Sequence, residues 1–170
     1  MSTGTSTSAF TMKKITSSDI PLIRELTFKV WPQTYAAILS PEQIAYMLEM
    51  MYSEASLQKQ MSDGCQFIVV YNEGEPVGFA SYQEIEPGTF KLHKIYVLAS
   101  QQAKGTGRYM IGYIVTEIKQ RGATALQLQV SRKNKARDFY EKLGFTMIYE
   151  ADFDIGNGYF MKDYVMKKKV

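Results

Sequence analysis

The stretch Lys91-Leu-His-Lys-Ile-Tyr-Val-Leu-Ala-Ser-Gln-Gln-Ala-Lys-Gly-Thr-Gly-Arg-Tyr-Met110 decides the fold of this 170-residue chain. Its apolar beginning is typical of a buried strand, and the residues after Gly105 and Gly107 have a helical pattern. A glycine turn that opens a helix leaves backbone N–H groups without intrahelical partners at the positive end of the helix dipole. Such a turn binds anions, so the sequence predicts a ligand that carries phosphate.

Two common phosphate-binding loops are excluded. The chain has no Gly-x-x-x-x-Gly-Lys-Ser/Thr, so it is not a P-loop protein. Met110 stands where the dinucleotide-binding pattern Gly-x-Gly-x-x-Gly requires its third glycine. The two remaining glycines also fit an ordinary strand-to-helix turn, and a second cluster is needed to choose between these interpretations.

The second cluster is Val130-Ser-Arg-Lys-Asn-Lys-Ala-Arg-Asp-Phe-Tyr-Glu-Lys-Leu-Gly-Phe145. Together the two runs resemble the GNAT superfamily of N-acetyltransferases. Gln102-x-x-Gly105-x-Gly107 is similar to the pyrophosphate motif of that family. Asn134, Ala136 and the run that ends in Gly144-Phe145 are similar to the helix and turn after its fifth strand. The resemblance covers most of residues 77–149, with both motifs in the family's order and spacing.

The resemblance implies an α/β fold with a mixed, mostly antiparallel central sheet of six to seven strands, flanked by helices on both faces. The hydrophobic pattern agrees with the order of four strands, helix, strand, helix and two strands, with more helices after the first strand. Trp31-Pro32 is expected to interrupt the first of those helices. Residues 145–149 and 159–167 are predicted to be the last two strands, joined through Gly156-Asn-Gly158.

Composition is that of one enzyme domain, predicted over residues 11–170, after a Ser/Thr-rich tail at residues 1–10 that is predicted to be disordered. The tail has neither the basic start nor the apolar core of a signal peptide. One cysteine, Cys65, excludes an internal disulfide and indicates the cytoplasm. A net charge of +3 is too mild to indicate a nucleic-acid partner, and no apolar run is long enough for a membrane span.

The resemblance implies acetyl-CoA as co-substrate and no metal. The backbone amides from Ala103 to Arg108 are expected to bind the pyrophosphate. The pantetheine arm is expected to pair with the fourth strand, and the Val97 N–H to donate to the thioester oxygen. Asn134 is expected to hydrogen-bond the arm, to cap its helix, or both. The implied co-substrate contacts lie on the fourth strand, the glycine turn and the later helix: Ile95, Tyr96, Val97, Gln102, Ala103, Lys104, Gly105, Thr106, Gly107, Arg108, Asn134, Ala136 and Tyr140.

Tyr140 is the residue expected to act as general acid. It matches the family tyrosine that protonates the sulfur of CoA. A phenol has an ordinary pKa near 10, so at neutral pH it has a proton to give. The alternative is an aromatic side chain that only packs beside Phe139.

His93, the only histidine, is the candidate general base. It lies four residues before Val97, so the period of two in a strand puts both side chains on one face. An amine with an ordinary pKa near 10.4 must lose a proton before it attacks, and histidine can accept one near neutrality. Glu84, Glu86 and an ordered water are the rival bases, and a packed strand histidine is the bland alternative.

The acceptor is the least determined feature. In this superfamily the helices after the first strand usually wall the acceptor site, which makes Trp31 and Tyr35, with Glu84, the substrate candidates. Aromatic rings can hold a cation, although such residues at helical spacing are also typical of a core. Trp31-Pro-x-Thr-Tyr35, Ser40-Pro-Glu-Gln43 and the ending Asp163-Tyr-Val-Met166 resemble bacterial acetyltransferases of the PaiA type, which act on polyamines.

Two functions follow from these observations. The first is an N-acetyltransferase of class EC 2.3.1.- that acetylates a primary amine of a small molecule, which includes polyamines, or of a peptide, by direct attack. The second is a non-catalytic acyl-CoA-binding sensor on the same fold, because a fold does not fix a function. A homodimer is compatible with either.

Overall fold

The structure is a computed structural model that describes residues 9–101 and 104–170. Gln102 and Ala103, two of the predicted co-substrate contacts, lie outside the described residues. The described residues form seven strands and five α-helices: β1 (Phe10–Ile15), α1 (Ile20–Tyr35), α2 (Pro41–Tyr52), α3 (Glu54–Ser62), β2 (Gln66–Asn72), β3 (Glu75–Glu86), β4 (Thr89–Val97), α4 (Thr106–Gln120), β5 (Ala125–Ser131), α5 (Ala136–Lys142), β6 (Thr146–Gly156) and β7 (Tyr159–Lys169).

The seven strands form one sheet in the order β1-β2-β3-β4-β5-β7-β6. Pairing is antiparallel between β1 and β2, β2 and β3, β5 and β7, and β6 and β7, whereas β4 and β5 are parallel. A parallel pair needs a crossover connection, and α4 supplies it between β4 and β5. The predicted mixed, mostly antiparallel sheet with flanking helices is therefore confirmed.

The parallel ladder between β4 and β5 is short. It runs from Thr89↔Ala125 to Leu92↔Leu128. β4 continues to Val97, and β5 supplies no partner to that second half within the part of the chain that the structure describes. This is the part of β4 on which the resemblance places the pantetheine arm.

The chain divides into two compact units. One comprises the chain as far as Tyr82 together with Lys94–Tyr113, and the other comprises Gln83–His93 and Ile114–Val170. In the first unit, the four central residues of β2 are fully buried, and α1 buries Ile23 and Leu26. In the second, β5 and β7 bury a set of apolar side chains: Leu126, Leu128, Val165 and Met166. The prediction of a single domain stays a prediction.

The expected interruption at Trp31-Pro32 does not occur. α1 continues to Tyr35 with Pro32 inside it, and the Ala36 N–H donates to the Pro32 carbonyl at 3.2 Å. A proline inside a helix costs about 3 kcal/mol. Burial of an apolar side chain contributes about 1.5–3 kcal/mol, and Val30 and Trp31 are both buried beside the proline. Tertiary packing therefore stabilises the helix enough for it to continue beyond Pro32.

The last hairpin is longer than predicted. β6 extends to Gly156 instead of ending at Tyr149, and a two-residue turn follows in which Asn157 and Gly158 have φ values of +54° and +80°. The extension has a weak sequence signal because β6 is exposed over most of its length and carries several acidic residues, which disfavour strands. Its pairing with β7 fixes the strand. At the other end of the chain, Phe10 belongs to β1, so the predicted tail boundary is too late by at least that residue.

Candidate active site

The glycine turn ends where α4 begins, as predicted. The Gly105 carbonyl accepts the first helical hydrogen bond, from the Tyr109 N–H at 3.0 Å. The amides of Thr106, Gly107 and Arg108 are therefore first-turn donors without intrahelical partners. Gly105 has φ = +81°, and a Cβ built on it would meet nothing within 4 Å. Glycine is needed here because of the positive φ value, and not because a larger side chain would clash with a neighbour.

Gln101, which the sequence did not single out, fixes this loop. Its side chain is buried, and Oε1 accepts from Thr106 Oγ1 at 3.2 Å and from Asn72 Nδ2 at 3.0 Å. Its carbonyl accepts from the Lys104 N–H at 3.2 Å. The start of α4 is thus tied to the end of β2. The side chains of Lys104 and Arg108 are exposed.

The second half of β4 passes very close to β3. A Cβ built on Gly78 would lie 2.6 Å from the Tyr96 carbonyl oxygen and 3.3 Å from the Val97 Cα. The Leu98 N–H donates to the Val77 carbonyl at 2.9 Å. Glycine inside a strand often marks such an approach of two backbones. Gly78 was therefore the feature of the sequence that could have predicted it. Gly78 therefore sets the position of Tyr96 and Val97.

Aromatic side chains from α1, α2, β3 and β4 form one cluster. Trp31 packs on Tyr35 with ring centroids 4.5 Å apart and on Tyr52 at 5.5 Å. The hydroxyls of Tyr35 and Tyr96 are hydrogen-bonded at 2.9 Å. Trp31 is only 2% exposed, whereas Tyr35 and Tyr96 are half-buried. Trp31, one of the two aromatic substrate candidates, is thus a core residue that packs against Tyr35.

Lys94 places a cation inside this cluster. Its side chain is buried, and its Nζ lies 4.6 Å from the centroid of the Tyr52 ring, a cation–π geometry. Burial raises the pKa of the Tyr52 hydroxyl far above its ordinary value, so the phenol stays protonated. A face of Tyr52 is therefore already occupied by the protein's own ammonium group.

Tyr140 lies in the last turn of α5 and is buried. Its ring meets the rings of Phe139 and Phe145 edge to face, with centroids 5.3 and 5.7 Å apart. The Tyr140 carbonyl accepts from the N–H groups of Leu143 at 3.0 Å and Phe145 at 3.1 Å, and Gly144 has φ = +96°. This glycine-ended helix fixes the backbone that carries the phenol. The packing alternative and the acid role both fit this placement.

Asn134 lies two residues before the start of α5, whose N-cap residue is Lys135. Its Oδ1 accepts from the Ala136 N–H at 2.9 Å. The carboxamide has one acceptor atom and one donor atom, so Nδ2 is the end that can donate to a ligand. The expectation that Asn134 is the N-cap is therefore wrong, because its side chain bonds the first helical amide from one position before the cap. The expected contact with the arm of the co-substrate stays a prediction.

His93 and Glu84 are both exposed. The His93 Nε2 lies 3.0 Å from the Gln83 Oε1. The tautomer of His93 decides which ring nitrogen donates and which accepts. Glu84 Oε2 accepts from the Gly88 N–H at 3.1 Å, which places its carboxylate at the β3–β4 turn. Glu86 is exposed at the end of β3.

The predicted site residues divide between the two units. The first unit brings together the described part of the glycine loop, the second half of β4, Trp31 and Tyr35; the second contains Glu84, His93, Asn134, Ala136 and Tyr140. Within the described residues, no three His, Cys, Asp or Glu side chains are grouped so as to hold a metal ion. No helix in that part of the chain is long and apolar enough to cross a membrane.

The described residues thus form a mixed sheet whose parallel pair is joined by a helix that follows a glycine turn. The model of the acetyltransferase (GNAT) domain matches residues 35–167, and the chain belongs to this family. It is an N-acetyltransferase-type acyltransferase that uses acetyl-CoA. This co-substrate fits two features of the chain. The first-turn amides of α4 have no intrahelical partners, and the second half of β4 has no partner from β5 among the described residues.

Individual relatives are similar at moderate identity. The solved structure of the PaiA N-acetyltransferase of Thermoplasma acidophilum with coenzyme A has a TM-score of 0.79 and 24% identity, over 95% of this chain and 99% of that one. The [ribosomal protein bS18]-alanine N-acetyltransferase of Haemophilus influenzae is 28% identical over 71% of this chain and 77% of its own. The spermidine N(1)-acetyltransferase of the same Thermoplasma species is 23% identical, over 93% and 96%. The predicted resemblance to the GNAT family and to its PaiA type is confirmed.

Proposed function

We propose that this chain transfers the acetyl group of acetyl-CoA to a primary amine of a small molecule or a peptide by direct attack of the amine on the thioester. The observation that carries the proposal is the start of α4. Three backbone donors lie there at the positive end of a 15-residue helix, and Gln101 fixes their loop. A phosphorylated co-substrate is what such a site holds.

The contacts with acetyl-CoA follow from the two backbone features. The backbone amides of residues 103–108 would bind the pyrophosphate. Ile95, Tyr96 and Val97 would pair with the pantetheine arm, and the end of the β4–β5 ladder at Leu92 supports this. The Val97 N–H would then donate to the thioester oxygen, where negative charge develops. Asn134 would donate its Nδ2 to the arm.

Two protons must move during the reaction. The acceptor ammonium loses one before attack, and the His93 imidazole is the proposed acceptor of that proton, directly or through water. The amine nitrogen then forms a bond to the acetyl carbon while the carbon–sulfur bond breaks. Tyr140 gives its phenolic proton to the departing sulfur. Its burial beside Phe139 and Phe145 supports this role, because a dry and fixed donor costs little reorganisation.

The acceptor contacts are proposed on the half-buried Tyr35, whose hydroxyl is bonded to that of Tyr96 and whose ring is backed by Trp31. Glu84 is exposed and could attract a cation. A polyamine is the particular acceptor to test first, since a spermidine N(1)-acetyltransferase is among the relatives. The Lys94 ammonium in the aromatic cluster weighs against a polycation at that place.

The test is the release of free CoA from acetyl-CoA, followed by its thiol, with polyamines, amino acids, aminoglycosides and peptides with free N-termini. An amine that releases CoA in step with its own acetylation supports the proposal. Binding of acetyl-CoA without release by any amine would instead assign the chain to the non-catalytic sensor class.

The proposed partner in solution is a second copy of the chain. β6 is the last strand in the sheet order and exposes Met147, Ile148 and Tyr149. An exposed edge strand with apolar side chains favours pairing with another chain. Light scattering on the parent and on Ile148→Lys would test this: we expect a dimer that the variant loses, and a monomeric parent would contradict it.

A further inference from the structure

The aromatic cluster of the first unit contains a buried positive charge that the mechanism does not use. Lys94 is buried, and its Nζ lies 4.6 Å from the centroid of the Tyr52 ring. An ammonium group only donates hydrogen bonds, and so does the indole N–H of Trp31 in the same cluster. Burial of a positive charge is costly unless an anion or other acceptors compensate it. The cluster therefore favours a partner that accepts hydrogen bonds and carries negative charge.

Two buried polar atoms of the same unit have no hydrogen-bond partner. Among the residues that the structure describes, they are the only buried side-chain nitrogen or oxygen atoms in this condition: Trp31 Nε1 and Ser81 Oγ. The indole lies near the Tyr52 hydroxyl, whose pKa it lowers against the larger effect of burial, but its N–H forms no hydrogen bond of normal geometry there. The large majority of buried side-chain polar atoms in proteins have such a partner. Two exceptions in one unit therefore indicate a group that this unit receives.

Ser81 and Lys94 project from the face of the sheet that carries the cluster. β3 pairs with β2 without a register shift around Ser81, so Phe79 and Ser81 share one face. The rings of Phe79 and Tyr96 are in contact, with centroids 5.8 Å apart. Lys94 lies two residues before Tyr96 on β4 and shares its face for the same reason. The ammonium group and both unpartnered atoms thus lie on one side of the sheet.

The cluster reaches the surface at a pair of tyrosines. Tyr35 and Tyr96 are half-buried, and their hydroxyls are hydrogen-bonded at 2.9 Å. Tyr96 precedes Val97, whose N–H is the proposed donor to the thioester oxygen. Lys94 and Val97 are three residues apart on one strand, which is about 10 Å. A small molecule that enters here can place one end near the thioester and the other near the buried ammonium.

We propose that the acceptor of the acetyl group carries a carboxylate, and that Lys94 binds this carboxylate. The acceptor class is then amino acids and other small amino-carboxylates, because Lys94 repels the additional cations of a polyamine. A carboxylate only accepts hydrogen bonds, and a bond between two charged groups is stronger than one between neutral groups. The role as acceptor rests on the acetyl transfer proposed above, whereas the binding of a carboxylate is measured without it.

The experiment uses the fluorescence of Trp31, the only tryptophan of the chain, as a reporter inside the cluster. The protein is saturated with CoA, which has no acetyl group to give, and titrated with 5-aminopentanoate or with its uncharged amide. We expect the parent to bind the acid about 10-fold more tightly than the amide. Lys94→Met, which keeps an unbranched side chain without the charge, should bind both within about twofold. Lys13→Met, at an exposed lysine of β1 in the same unit, should keep the parental ratio.

Equal affinity of the parent for acid and amide overturns the proposal, and so does a ratio that survives in Lys94→Met. Tighter binding of spermidine than of the acid by the parent overturns it in favour of a polycationic acceptor. With acetyl-CoA in place of CoA, we expect the same preference in kcat/KM. If the parent shows the binding ratio but acetylates no amine, acetyl transfer fails and the carboxylate site belongs to a sensor. Melting temperatures verify that the variants fold.

Discussion

The starts of α4 and α5 are both candidate ligand-binding regions, yet they are built from different groups. At α4 the donors are main-chain amides, a positive-φ glycine shapes the turn, and the nearby Lys104 and Arg108 side chains are exposed. At α5 the chemistry is in side chains: the Asn134 amide and the buried Tyr140 phenol. Truncating a side chain should therefore damage the α5 region, whereas adding a Cβ should damage the α4 region.

Tyr140→Phe is the strongest test of the region built from side chains. The change removes the phenolic proton and keeps the ring packed between Phe139 and Phe145. We expect kcat to fall by about 10²–10⁴, the usual contribution of general acid–base catalysis, with the Kd for acetyl-CoA unchanged. Tyr149→Phe, at an exposed tyrosine, is the matched control. An unchanged kcat for Tyr140→Phe would leave the residue with a packing role alone.

The glycine turn gives the next largest effect and the opposite sensitivity. Gly105→Val must adopt φ = +81°, which costs a residue with a Cβ about 1–3 kcal/mol, and the turn should move to relieve it. We expect the Kd for acetyl-CoA to rise about 10–100-fold, and Gly107→Val to weaken binding by keeping the backbone from the phosphates. Calorimetry measures the Kd.

Two controls accompany the glycine variants. Lys104→Ala removes only an exposed side chain and should change the Kd by less than about threefold. Gly112→Ala adds a Cβ in the middle of α4 where nothing lies within 4 Å, and should bind like the parent. If both valine variants also bind acetyl-CoA like the parent, the pyrophosphate is bound elsewhere.

Gly78→Ala tests whether the backbone of β4 is positioned by β3. The new Cβ would lie 2.6 Å from the Tyr96 carbonyl oxygen, so one of the two strands must shift. Overpacking of this kind costs about 1–3 kcal/mol, which urea denaturation measures as a lower free energy of unfolding. A lower kcat/KM should accompany it. A variant that is as stable as the parent would show that this approach of the strands does not constrain Tyr96.

His93→Ala has the smallest expected effect because water can reach the exposed ring. With histidine as base, kcat/KM rises with pH through the neutral range, where the imidazole loses its proton and becomes able to accept one. The variant should lose that limb and about tenfold of the rate at neutral pH. Deprotonation of the acceptor amine also raises the rate with pH, so the pH profile alone does not isolate the histidine.

Added imidazole distinguishes the two interpretations of His93. Partial recovery of the His93→Ala rate supports proton transfer, whereas a packing role predicts a lower melting temperature and no recovery. A variant with the parental profile and rate would transfer the role to Glu84, Glu86 or an ordered water.

The sequence by itself determined the features that depend on neighbouring residues. The glycine turn before α4 requires a positive φ value, and Gly105 adopts one. Ser40 and Ser53 cap α2 and α3 through hydrogen bonds to N–H groups three residues ahead. Tyr140 and the Gly144-Phe145 helix end are equally local. Such features can be predicted from the sequence because one short segment of the chain supplies both partners of each hydrogen bond.

Only the tertiary structure decided the features whose partners are distant in the chain. Gln101 meets Asn72 across 29 positions, and Tyr35 meets Tyr96 across 61. The placement of Lys94 on Tyr52, the end of the β4–β5 ladder at Leu92 and the passage of α1 through Pro32 belong to the same group. Each of these features depends on burial and close packing between elements that are separate in the chain. The free energy of that packing exceeds the local backbone preferences, so no short stretch of sequence encodes these features.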